Sequence, residues 1–96
     1  MTDKADRFNN GKPQLSFVPL AAKESIARGL MFGAEKYDRD NWRKGSSLYS
    51  IMDSLDRHLS KLADPDEPDI DEESGLHHVD LIASNAAFLC LSLIHI

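Results

Sequence analysis

The sequence predicts an all-α fold, a three-helix protomer, and three observations carry that prediction. Apolar residues recur with the 3.6-residue rhythm of a helix from about residue 18 to residue 37. Leu48, Met52, Leu55, Leu59 and Leu62 advance in steps of four and three, a heptad-like seam of the kind that packs helices into bundles. No segment alternates apolar and polar residues as a half-buried strand does.

Met1 to Gly11 is polar and aperiodic, which predicts a flexible N-terminal arm. Lys12 to Leu20 holds an extended apolar stretch bracketed by Pro13 and Pro19, and Pro19 is tolerable only at a helix start. The first helix then presents Leu20, Ala22, Ile26, Ala27, Leu30, Met31, Ala34 and Tyr37. Gly29 and Gly33 stand one turn apart on it. Each costs up to ~1 kcal/mol relative to Ala in a helix interior, so the close approach of another backbone or a ligand is expected there. Asp38 to Gly45 is a polar turn carrying Trp42, and Ser46 or Ser47 would cap the second helix.

Asp64 to Ser74 contains seven acidic residues and two prolines in eleven positions, so it is a connection. The third helix is expected from Ser74 or Gly75. It carries one stripe of Leu76, Val79, Ala83, Ala86 and Cys90, and a neighbouring one of His78, Leu81, Ile82, Asn85, Phe88 and Leu89. Leu91 to Ile96 stands apart: encoded as CTG TCT CTT ATA CAC ATC, it matches the mosaic-end adapter of transposase-based sequencing libraries. Native sequence is therefore expected to end near Cys90, and His95 receives no functional weight.

Composition narrows the functional classes. Eleven Lys+Arg against sixteen Asp+Glu give a net charge of −5, which disfavours nucleic acid and anionic membranes as partners. The longest mostly apolar run, Ala86 to Ile96, is far short of the roughly 20 residues of a spanning helix. A single cysteine, Cys90, and the lack of a leader-like segment fit a cytoplasmic protein. Ninety-six residues bury little surface alone, so a homodimer or homotetramer is expected to complete the core.

The chemistry-bearing residues gather on two helices. Asp53, Asp56 and Arg57 are spaced to share a face of the second, with His58 nearer its apolar seam. Asp71, Glu72 and Glu73, then His77, His78 and Asp80, stand at the start of the third; Asp71 and Glu72 read best as first-turn charges that suit a helix N-terminus. Facing helices with inward carboxylates hold divalent cations, and a triphosphate approaches so acidic a surface only with a metal between. Lys36, Arg43, Lys44 and Arg57 would complement phosphates. Trp42 would stack on a base whose edge Asn41 reads, although a lone Trp also serves as core.

Taken together, Lys12-Pro13, Pro19, Phe32-Gly33-Ala34-Glu35-Lys36-Tyr37, Asn41-Trp42-Arg43-Lys44-Gly45, Arg57-His58-Leu59 and Asp71-Glu72-Glu73-Ser74-Gly75-Leu76-His77-His78 resemble the phage-type dATP/dGTP diphosphohydrolase domain, a MazG-like all-α nucleoside triphosphate pyrophosphohydrolase, over about residues 12–90. The resemblance implies hydrolysis of a deoxynucleoside triphosphate to monophosphate and pyrophosphate with Mg²⁺ or Mn²⁺, in oligomers that share active sites. MazG-like enzymes carry Glu-x-x-Glu and Glu-x-x-Asp pairs; the nearest equivalents here are Asp53-x-x-Asp56 and His77-x-x-Asp80, with His58 and His78 beside them. Imidazoles in a carboxylate site tilt preference toward Mn²⁺ or another transition ion. The expected metal set is Asp53, His58, Glu73 and His78, with Glu24 as a further candidate. Asn85 would steady a ligand or the nucleotide, and Glu73 would take the proton of the attacking water. The competing class is a non-enzymatic helical oligomer or regulatory partner whose acids only solubilise it.

Overall fold

The computed structural model describes residues 11–37 and 48–94. Three α-helices lie among them: α1 (Leu20–Tyr37), α2 (Leu48–Ala63) and α3 (His78–Leu93), with one 3-10 turn at Leu15–Phe17 and no strand. The fold is all-α, as the sequence predicts. The Pro19 carbonyl accepts the first helical bond, from Lys23 N–H at 3.2 Å, so proline sits just outside α1 where its missing donor costs nothing. None of the described helices is long and apolar enough to cross a membrane.

The third helix starts at His78, later than Ser74 or Gly75. The acidic connection instead folds back on itself. Gly75 N–H donates to the Asp71 carbonyl and Asp71 N–H to the Leu76 carbonyl, both at 2.8 Å, and Ile70 and His77 form an isolated antiparallel bridge. Gly75 adopts a φ of +73°, a left-handed conformation that glycine takes at little steric cost. His77 then caps α3, its Nδ1 accepting from Val79 N–H at 3.0 Å. Asp71 and Glu72 are accordingly hairpin residues, outside the helix whose first turn was expected to hold them.

Helix α3 is the middle element. It packs on both α1 and α2, whose backbones do not approach one another among the described residues. On the α1 side, buried Asp80 accepts from Ser25 Oγ at 2.6 Å and from Arg28 Nε and Nη2 at 2.9 and 3.1 Å. Gly29 sits where a side chain would collide with the Ser84 side chain and lie 2.8 Å from the Asp80 carbonyl oxygen, so its small size permits the crossing. Gly33 has open space around it, contrary to the expectation of a close neighbour there.

On the α2 side, the stripe turned inward is Ile51, Leu55, His58 and Leu62, with Ile51 and His58 buried and Leu55 and Leu62 half-buried. The predicted seam is thus rotated: Met52 and Leu59 remain 46% and 48% exposed. Asn85 Nδ2 donates to Ser54 Oγ at 3.2 Å and ties the two helices further along. Among the described residues, Ile51 and Leu81 are the buried apolar side chains.

Candidate metal centre

The rotation of α2 sets its one inward histidine against the start of α3. His58 Nδ1 and His78 Nδ1 lie 3.0 Å apart, with ring centroids at 5.2 Å and both residues buried. Which Nδ1 donates depends on the tautomers of the two rings, and a cation between them would take a lone pair from each. His78 is placed by its own backbone, its N–H donating to the Asp69 carbonyl at 2.8 Å as the hairpin closes. The hairpin also delivers Asp71. One ligand atom each from His58, Asp71 and His78 falls within 4.8 Å of the others.

These side chains line a cleft of about 640 Å³. Arg57, His58 and Lys61 of α2 form one wall, and Glu67, Asp71, Glu72 and Glu73 of the connection form the other. Ser74 fixes the Asp71 carboxylate twice, its N–H and Oγ donating to Oδ2 at 2.9 and 2.8 Å. Partial burial pushes the Asp71 carboxyl upward, but the Ser74 bonds and the imidazoles of His58 and His78 outweigh it and hold the group below the ordinary carboxylate range. Burial pushes the His58 imidazolium down; Asp71 opposes this, while His78, Arg57 and Lys61 add to it, and the balance keeps His58 neutral more readily than a free histidine. A neutral imidazole and an ionised carboxylate are the forms that bind a metal. Two imidazoles and one carboxylate, converging within 4.8 Å, fit a divalent cation of intermediate softness.

The family described as dATP/dGTP diphosphohydrolase, N-terminal, matches residues 2–95. The chain belongs to that family. A protein named dATP/dGTP diphosphohydrolase, from Salmonella phage PMBT28, is 36% identical over 83 residues, which are 86% of this chain and 28% of the relative. The chain thus spans little more than a quarter of that relative's length. No solved structure matches it.

Within this dATP/dGTP diphosphohydrolase N-terminal domain, the predicted site residues divide by position. His58, His78, Glu73 and Arg57 line one cleft. Asp53 is exposed on α2 and outside the cleft lining; Glu24 is exposed on α1, a helix that does not approach α2. Asn85 holds Ser54 and also lies outside the lining. Asp80 belongs to the α1–α3 contact, where Arg28, opposed by burial and helped by Ser25, holds its carboxyl below the usual range. Lys36 falls in the last turn of α1; Asn41, Trp42, Arg43, Lys44 and His95 lie outside the described residues, as do Ser46 and Ser47. Of the six cleft residues outside the predicted set, Asp71 and Lys61 bear most on the chemistry. The first had a signal: Asp three residues before Ser, with Gly next, is turn chemistry, and it takes Asp71 out of the helix. The second lies three residues after His58, a spacing that shares a helical face.

Proposed function

We propose that this domain carries the catalytic centre of a metal-dependent deoxynucleoside triphosphate pyrophosphohydrolase of dATP/dGTP type, acting in the cytoplasm of an infected bacterium. The observation that carries the reading is the convergence of His58, Asp71 and His78 in a cleft with cationic and acidic walls. The family and the name of the phage relative support the substrate class.

His58, Asp71 and His78 would hold the ion, with Mn²⁺ preferred over Mg²⁺ because two of the three donors are imidazoles. A bound divalent cation supplies Lewis-acid polarisation of phosphoryl oxygens. The residues around it do the rest. Glu73 accepts a proton from the water that attacks the α-phosphorus. The bond from that phosphorus to the bridging oxygen breaks, the monophosphate keeps the water oxygen, and pyrophosphate leaves with the electron pair. Arg57 stabilises charge on the departing group. Asp53, on the exposed face of α2, is assigned no step. Oligomerisation, as a homodimer or homotetramer, would cover apolar side chains that a lone protomer leaves in water, Met52 and Leu59 among them.

The test is incubation of the full chain with each deoxynucleoside triphosphate and Mn²⁺ or Mg²⁺, scoring pyrophosphate against orthophosphate. Pyrophosphate release by the wild type, lost in Asp71→Asn, is the expected result. Orthophosphate as the only product, or an Asp71→Asn protein with full turnover, would overturn it.

A further inference from the structure

The two walls of the cleft differ in charge. Arg57 and Lys61 belong to α2 and stand one turn apart, about 6 Å along the helix axis. Such i, i+4 residues share a stripe, and His58 lies between them in sequence. Both positive side chains line the same cleft as the three converging donors. Glu67, Glu72 and Glu73 of the connection line the same cleft and carry the opposite charge. A linear polyanion entering this cleft is attracted by one wall and repelled by the other, so it has one favourable orientation.

We infer that Lys61, paired with Arg57, forms a pyrophosphate-binding subsite on the α2 wall beside the His58–Asp71–His78 cluster. The pair grips two linked phosphoryl groups while the rest of the substrate extends past the cluster. The identity of the ligand rests on the pyrophosphohydrolase reading above, whereas the anion site itself rests on the charge and placement of the two side chains. Lys61 also lies in the last turn of α2, where a cation suits the helix terminus. That role predicts a change in helix stability and none in anion affinity, so the two are separable. Product inhibition follows as well: pyrophosphate occupies the wall that holds the leaving end of the substrate, and orthophosphate, which spans one cation only, binds more weakly.

The experiment is titration calorimetry of the full chain with inorganic pyrophosphate in the presence of Mn²⁺, alongside thermal melts. Lys61→Gln is expected to weaken pyrophosphate at least about tenfold, the scale of one lost charge-assisted hydrogen bond. Arg57→Gln weakens it similarly, Lys61→Arg retains affinity within about threefold, and Lys23→Gln on α1, outside the cleft, leaves it unchanged. Unaltered pyrophosphate affinity in Lys61→Gln, or no binding to the wild type, overturns the subsite. Deoxynucleotide turnover is scored separately. A wild type that hydrolyses dATP without binding pyrophosphate refutes only the subsite, and one that binds pyrophosphate through Lys61 without turnover refutes only the enzymatic reading.

Discussion

Asp71 is the residue on which the centre turns, because it brings a fixed negative charge to the two histidine rings. Its Oδ2 is engaged by both Ser74 donors, so the carboxylate is oriented before any ligand arrives. Replacing Ser74 by Ala removes the hydroxyl donor and is expected to weaken Mn²⁺ binding roughly tenfold, with Ser74→Thr restoring most of it; calorimetry with the metal alone reads this out. Asp71→Asn should abolish metal binding, while Asp53→Asn, on the exposed face of α2, should change turnover by less than about threefold. The pH response has a defined sign. Folded His58, faced by Asp71, His78, Arg57 and Lys61, resists protonation, whereas the unfolded chain takes up a proton near pH 6.5. Stability therefore falls as pH drops through that value. Thermal melts of the metal-free protein should decline from pH 7 to pH 5, less steeply in His58→Gln. The depressed Asp71 pKa adds its own loss only below about pH 4, where the unfolded carboxylate is protonated first.

The helices were legible in the sequence to different depths, and their packing explains why. Periodicity located α1 and α2 because each has one wet side, and it could not fix which apolar face meets α3. The inward stripe includes His58, which carries no hydrophobic signature yet is buried in line with Ile51, Leu55 and Leu62. The start of α3 was misplaced because capping residues and acids, common in first turns, also suit the hairpin that Gly75 closes. The Asp80–Arg28–Ser25 contact spans more than fifty residues and leaves no local pattern. Its removal by Asp80→Ala leaves Ser25 without its acceptor. Arg28, with half its side chain in water, recovers hydration, so a loss of about 2 kcal/mol is expected, or roughly 8–16 °C in a domain of this size. The two α1 glycines give a paired test. Gly33→Ala should stabilise by about 0.5–1 kcal/mol through helix propensity. At Gly29 the same gain is outweighed by collision with Ser84 and the Asp80 carbonyl, an overpacking cost of about 1–3 kcal/mol.

At the scale of the molecule, few apolar side chains among the described residues are buried and several large ones are not. Leu20, Met31 and Tyr49 are each about two-thirds exposed or more. Apolar side chains left in water favour association, so self-association is expected to be linked to folding. Light scattering across a dilution series should show a species larger than the protomer, and its dissociation should accompany loss of helical circular dichroism. The family was legible because blocks such as Asp71 to His78 keep both order and spacing; the ligand set was less so, since convergence in space depends on a hairpin that composition marks only as a linker.

One consequence concerns the opening turn of α3. His78 faces α2 and Asp80, two residues on, is gripped by α1, so the same few peptide units are anchored from both flanks. A random-mutagenesis screen for lost activity should therefore return hits at Ser25, Arg28 and Gly29, on a helix that gives the cleft no residue among those described. Those variants would mimic damage to the centre itself, and excess Mn²⁺ would partly rescue them by reseating His78.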